Sequence, residues 1–219
     1  MTCRRMDPSA PSLDRGLLIT FEGGEGTGKS TQAARLTARL RAGGSSVVSA
    51  REPGGTEVGE RIRAVTREPA SPLAELFLFE AARAQLVAEV IEPALAAGAV
   101  VILDRFTDST LAYQGHGRGL DLATIVELNA VATHGIRPDL TLLLDLDVDT
   151  GLARKLGEIG HDAIGKEHRD FHERVRSGYL ELAAAEPQRW VVLDGTLPPQ
   201  ELQESVWEAV SKCVRSRQD

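Results

Sequence analysis

Only two cysteines, Cys3 and Cys213, occur in the 219 residues, near opposite ends of the chain. They offer neither a disulfide framework nor a Cys-x-x-Cys metal pattern, so two reduced thiols are expected. Positive charge is not in excess: Lys and Arg number 25 against 32 Asp and Glu, for a net charge of −7. A general nucleic-acid partner is therefore disfavoured, since such proteins carry a basic face. A small anionic substrate stays possible, because a few placed Arg and Lys decide that locally. No apolar run approaches the ~18 residues that a membrane span needs. Residues 1–15 are polar, with Pro8, Pro11, Asp7 and Asp14, and have no apolar leader segment. They read as a frayed extension rather than a secretory signal, and the expected location is the cytoplasm. Internal repeats and composition-biased linkers are also missing, so residues 16–219 are expected to form one domain.

What is present is an ordinary globular balance, 42% hydrophobic and 26% charged. Short apolar runs alternate with helical spacing. Leu17-Leu18-Ile19-Thr20-Phe21, Val47-Val48, Val100-Val101-Ile102-Leu103, residues 140–146 and Trp190-Val191-Val192-Leu193 read as five strands. They are continuous rather than alternating, as when helices cover both faces of a parallel sheet. Residues 30–40, 73–97, 122–133 and 199–214 read as helices, with a kink at Glu92-Pro93.

Gly23-Gly24-Glu25-Gly26-Thr27-Gly28-Lys29-Ser30 fits the phosphate-binding loop pattern, with a strand before it and a helix beginning at its end. Glycines let successive N–H groups turn inward around phosphate, and the helix N-terminus adds a positive dipole. Lys29 is expected at the β- and γ-phosphates of ATP, Ser30 on Mg²⁺, and Thr31 beside them. A GTPase would carry Asn-Lys-x-Asp after a later strand. Here Asp145-Leu146-Asp147 stands there instead.

Three further segments fall at strand ends or on a facing helix, where ligands of open α/β sheets collect. They are Arg51-Glu52-Pro53-Gly54-Gly55-Thr56, Phe79-Glu80-Ala81-Ala82-Arg83-Ala84-Gln85, and Asp104-Arg105 continuing to Ser109 and Ala112-Tyr113-Gln114-Gly115. In this order behind a phosphate loop, and with Arg137-Pro138-Asp139 and Tyr179-Leu180-Glu181-Leu182 downstream, they resemble the bacterial thymidylate kinase family. The resemblance implies a P-loop nucleoside monophosphate kinase fold with a mobile lid at about 151–170, a homodimer, and phosphorylation of dTMP by ATP with Mg²⁺. It places Phe79 on the thymine ring, Arg83 on its carbonyl edge, and Arg105 and Arg51 at the dTMP phosphate. Ser109, Tyr113 and Gln114 line the nucleoside pocket, with Glu25 near the sugar and Asp104 at the Mg²⁺.

The residue types agree with those roles. Phe79 and Arg83, four apart, share a helix face, and Arg forks suit a phosphate monoester. Departures from the family pattern are Ala82, Leu86, Phe106 and a lid poor in arginine. Because the loop position that carries arginine in some members is Gly26, the cation on the transferring phosphate must come from elsewhere, and Arg154 matches best, ahead of Lys155, Lys166 and Arg169. His168 and His172 read as a solvated face rather than a zinc pair. A kinase for another nucleotide or nucleoside, and a nucleotide-binding protein without turnover, remain alternatives on sequence alone.

Overall fold

The computed structural model describes residues 16–156 and 167–216. The expected extension over 1–15 and the middle of the expected lid, 157–166, lie outside them. Five strands form one parallel sheet: β1 (Leu17–Glu22), β2 (Val47–Arg51), β3 (Val100–Asp104), β4 (Leu140–Asp145) and β5 (Trp190–Asp194), in the order β2-β3-β1-β4-β5. All five coincide with the runs read from sequence. β1 is central and buried along its whole length. Its odd residues, Leu17, Ile19 and Phe21, pack into one core with Leu36, Leu40, Leu202 and Val206. Leu18 faces the opposite core with Leu86, Ile91, Leu95 and Phe106. The pleat thus divides one strand between two apolar layers, which is why no polar alternation marks it.

The helices are α1 (Lys29–Ala42), α2 (Glu57–Val65), α3 (Pro72–Leu86), α4 (Glu92–Ala96), α5 (Thr107–Thr110), α6 (Leu122–Thr133), α7 (Val148–Leu156), α8 (Arg169–Ala185) and α9 (Pro199–Arg215). Thr56 caps α2 by accepting from the Gly59 N–H at 2.9 Å, and Asp121 caps α6 by accepting from Thr124 at 2.8 Å. The break expected at Glu92-Pro93 takes the form of a π-helical turn over Val87–Ile91 between α3 and α4. Pro93 lacks an N–H and its ring crowds the carbonyl four residues back, and one wide turn relieves both. A second wide turn, Leu111–Gly117, follows α5.

Two departures from the sequence reading stand out. α2, α5, α7 and α8 were not anticipated. α8 buries Phe171, Val175, Tyr179 and Ala183 against the wide turn after α5 and against β4 and β5. His172 is buried on this helix, edge-on to Phe171 at 5.4 Å, so the solvated reading fails for it, while His168 is exposed. Among the described residues no helix is long and apolar enough to cross a membrane, and no three His, Cys, Asp or Glu are grouped to hold a metal.

One buried ion pair ties the turn before β5 to α5. The Arg189 guanidinium forks onto Asp108 at 2.7 and 2.8 Å and also reaches Thr141 at 2.7 Å. Asp108 is 1% exposed. Removing the arginine strands a carboxylate in the core, which costs ~3–5 kcal/mol. Arg189→Ala is expected to lose about that much in urea unfolding. A loss under ~1 kcal/mol would mean that Asp108 needs no partner.

Candidate active site

β1 lies where the strand order turns back on itself, and its carboxyl end feeds the phosphate loop. The loop needs backbone that side chains resist: Gly23, Gly26 and Gly28 have φ of 139°, 65° and 91°. Lys29, buried at the start of α1, donates to the Gly24 carbonyl at 2.6 Å and to Thr27 Oγ1 at 3.3 Å. Burial and the nearby Arg105 lower its pKa to about 8, against the pull of Glu25, Asp104 and Glu22. The ammonium therefore stays mostly charged at neutral pH. Ser30 Oγ donates to Asp104 Oδ2 at 2.5 Å. Two hard oxygens side by side at the loop's mouth are a fitting donor set for a small dication.

The other part of the site is built around Arg105. Its φ of 72° puts a non-glycine residue in the left-handed region, a strain of ~1–3 kcal/mol that the surroundings must hold. They hold it well. The Arg105 N–H donates to Phe21 O at 3.0 Å. Its guanidinium reaches Gly23 O, Ser109, Tyr179, Glu25 and Tyr113, all within 3.0–3.3 Å. Burial raises the Glu25 carboxyl, but Arg105, Lys29 and Lys155 together hold it well below the ordinary range. Though adjacent, the two residues serve different partners: Asp104 takes Ser30, and Arg105 takes Glu25.

Both halves open onto one cavity of about 660 Å³, within the range of small-ligand sites. Its wall includes Glu25, Gly26, Thr27, Gly28, Lys29, Ser30, Thr31, Arg51, Phe79, Arg83, Asp104, Arg105, Ser109, Tyr113, Gln114 and Arg154. Gly23 and Gly24 do not line it; their carbonyls brace Arg105 and Lys29. The structure thus brings together nearly every residue singled out in the sequence. Residues on the wall that sequence reasoning missed include Arg63, Arg67 and Thr110, while Lys155, a candidate cation, lies on it too. Arg63 had a legible signal, lying four residues before Arg67 on a stretch leading away from the Arg51 loop.

Arg83 is placed differently from what its expected role suggests. It is 2% exposed, and its five N–H donors go to Glu52, Glu80, Asn129 and the Phe106 carbonyl at 2.6–3.1 Å. Burial pushes the Glu52 and Glu80 carboxyls up while Arg83 pulls them down. A base contact by Arg83 therefore replaces one of these bonds rather than adding a bond. Leu86 and Phe106, two departures from the family pattern, are core residues here.

α7 lies directly on the phosphate loop. A Cβ on Gly26 would stand 2.1 Å from the Gly151 carbonyl oxygen. An arginine at that loop position is excluded by contact, so a cation must come from the helix side. Arg154 donates to Gly195 O at 2.9 Å, and Lys155 donates to Glu25 Oε2. Arg169 turns elsewhere, pairing with Asp149 at 2.8 Å and Glu173 at 2.9 Å. Lys166 is outside the described residues.

Comparison with known proteins follows the same lines. The sequence model of the family described as Thymidylate kinase matches residues 21–206. A thymidylate kinase of Deinococcus radiodurans is 52% identical over 203 residues, covering 91% of this chain and 98% of that protein. One of Synechococcus is 54% identical over 197 residues, covering 89% and 95%. The crystal structure of thymidylate kinase from Ehrlichia chaffeensis superposes with a TM-score of 0.75 at 33% identity, covering 90% of this chain and 98% of that one.

Proposed function

The chain belongs to the thymidylate kinase family, and on that premise we propose how its residues phosphorylate dTMP to dTDP with ATP. The observation that carries the reading is that Lys29 and Arg105 line the same cavity, and that Glu25, paired with Arg105, feels the charge of both. The donor phosphates enter the loop, where inward N–H groups and the α1 dipole receive their charge. Lys29 follows that charge toward the transferring phosphoryl group. Ser30 and Asp104 would hold Mg²⁺, which neutralises phosphate charge when bound. At the acceptor end, Arg105 holds the dTMP phosphate, and Arg51 lies beside it. Phe79 stacks on the thymine, and Arg83 reads its carbonyl edge by giving up one protein bond. Ser109, Tyr113 and Gln114 shape the nucleoside pocket, and Glu25 faces the sugar. No strong base is needed, because the attacking phosphate oxygen is already ionised at neutral pH. Catalysis is then positioning and charge neutralisation.

Residues 16–219 make one kinase domain in this reading, with a lid rooted in α7. The reading also places the chain in the cytoplasm as a homodimer. Exposed apolar side chains support the dimer: Val58 and Val65 on α2, Leu73 and Phe77 on α3, Leu122 and Val126 on α6. Each pair shares one face of its helix, and α3 packs between the other two. Sedimentation of Phe77→Glu at micromolar concentration is expected to give half the wild-type mass. An unchanged mass would move the interface elsewhere.

Turnover over dTMP, dUMP, dCMP and thymidine is expected to favour dTMP, and a flat panel would overturn the substrate assignment. Arg105→Ala should raise the KM for dTMP by ~30-fold or more, the worth of a truncated buried charge contact, while leaving that for ATP nearly unchanged. Equal effects on both substrates would contradict an acceptor-phosphate role. Phe79→Ala should act the same way through a lost stack worth ~1–3 kcal/mol.

Arg154 is assigned the closing contact on the transferring phosphoryl group, since its fork fits three equatorial oxygens better than an ammonium does. Arg154→Ala is expected to lower kcat by at least ~10²-fold with little change in the dTMP KM. Lys155→Ala and Arg169→Ala are measured beside it. If Lys155→Ala collapses kcat while Arg154→Ala does not, the role belongs to Lys155.

A further inference from the structure

Glu22 is the last residue of β1, and its carboxyl is wholly buried behind the acceptor site. It does not itself line the cavity, yet it holds the supports of Arg105. Its Oε1 accepts the Phe106 N–H at 2.8 Å, immediately after the strained Arg105 backbone. Its Oε2 accepts from Ser109 Oγ at 2.5 Å and from Tyr179 OH at 3.0 Å. Those same two hydroxyl oxygens lie 3.2 and 3.3 Å from Arg105 Nη1, and 2.7 Å from each other.

Each hydroxyl has a single hydrogen to place. While Glu22 is ionised, the hydrogens of Ser109 and Tyr179 turn toward its carboxylate, and their lone pairs face the Arg105 N–H. When Glu22 carries a proton, that proton must itself be donated to one of the two oxygens. The receiving hydroxyl then passes its own hydrogen to the other across their 2.7 Å contact, and the three oxygens close a neutral ring. Lone pairs no longer polarised by a carboxylate hold a guanidinium less strongly than those of a charge-assisted network.

We propose that Glu22 is a positioning residue for the acceptor phosphate: ionised, it sets Ser109 and Tyr179 to hold Arg105 ready for dTMP, and protonated, it loosens that hold. The proposal rests on the reading of Arg105 as the dTMP-phosphate ligand. The groups facing Glu22 are Asp108 on α5, Arg105 on the β3–α5 connection, Lys29 at the start of α1 and Tyr179 on α8. Burial first, then Asp108, push its carboxyl up to about 7, against the bonds of Ser109 and Tyr179 and the charge of Arg105. The sign follows directly. Glu22 is ionised above about 7 and protonated below, so dTMP binding strengthens as pH rises through that value and weakens as pH falls.

The test compares kcat/KM for dTMP at saturating ATP, from about pH 5.5 to about pH 9, in the wild type and in Glu22→Gln. Glutamine is neutral and donates toward the same oxygens, so it mimics the protonated acid. Dividing one profile by the other cancels the ionisation of the dTMP phosphate itself. The ratio is expected to be near one at the acid end and to climb near neutrality to roughly tenfold, one lost charged hydrogen bond. The change should appear in the dTMP KM, with the ATP KM and kcat little affected. A ratio that is constant with pH, or an equal loss on the ATP side, overturns the proposal. Tyr179→Phe removes one donor to the carboxylate and should shift the wild-type limb to higher pH. An unmoved limb also overturns the proposal, and this variant decides alone if Glu22→Gln does not fold. Should Arg105→Ala leave the dTMP KM unchanged, the site reading itself is at fault. If Arg105→Ala behaves as expected and the ratio is flat, only the role of Glu22 falls.

Discussion

A guanidinium withdrawn from water must find an acceptor for each of its hydrogens, and in this protein two of them, Arg83 and Arg105, make that demand within one wall of the cavity. Arg83 is satisfied wholly by protein groups, two of them buried carboxylates. Arg105 is satisfied by one serine hydroxyl, two phenols, a loop carbonyl and one carboxylate it shares with Lys155. The difference is functional. Arg83 sits among acids that are held in place by it, and its removal would leave them uncompensated. Arg105 is held mostly by neutral oxygens, which leaves much of its charge uncompensated where it lines the cavity. The local geometry follows from this. β1 ends at Glu22, β3 ends at Asp104, and the chain turns at once through left-handed Arg105, whose guanidinium reaches back to the loop carbonyl of Gly23.

Much of this was legible in the sequence, for reasons that differ by element. The five strands are apolar throughout because both faces of the sheet are covered, so each announces itself as an uninterrupted run. The phosphate loop is legible because its glycines answer a backbone requirement that no other residue meets cheaply. The rest of the cavity wall was legible through the family resemblance, which rests on blocks that include Phe79, Arg83 and the stretch from Asp104 to Gln114, residues that line it here.

What stayed hidden depends on partners distant in sequence. Glu22 reads as a polar residue closing a strand, and nothing local says that Ser109 and Tyr179 converge on it. Glu52 and Glu80 give no hint that they share one arginine. The wide turn after α5 leaves no compositional mark, whereas Pro93 signals the one after α3. α8 is a different case: Phe171, Val175 and Tyr179 recur at every fourth position, a helical stripe obscured by the charged residues between them.

The contact between the phosphate loop and α7 carries one more consequence. A Cβ at Gly26 meets the Gly151 carbonyl, and a Cβ at Gly151 would meet the Glu25 carbonyl oxygen at 2.4 Å. Each glycine makes room for the other's backbone, so neither position accepts a side chain while α7 stays where it is. A lineage that carries this pair cannot adopt a loop-borne arginine by one substitution. It must first lift the helix, and until then every gain in phosphate charge compensation has to be explored on α7 and the segment after it. Two hydrogen atoms thus restrict which mutational routes are open to the enzyme, independently of what either glycine does for catalysis.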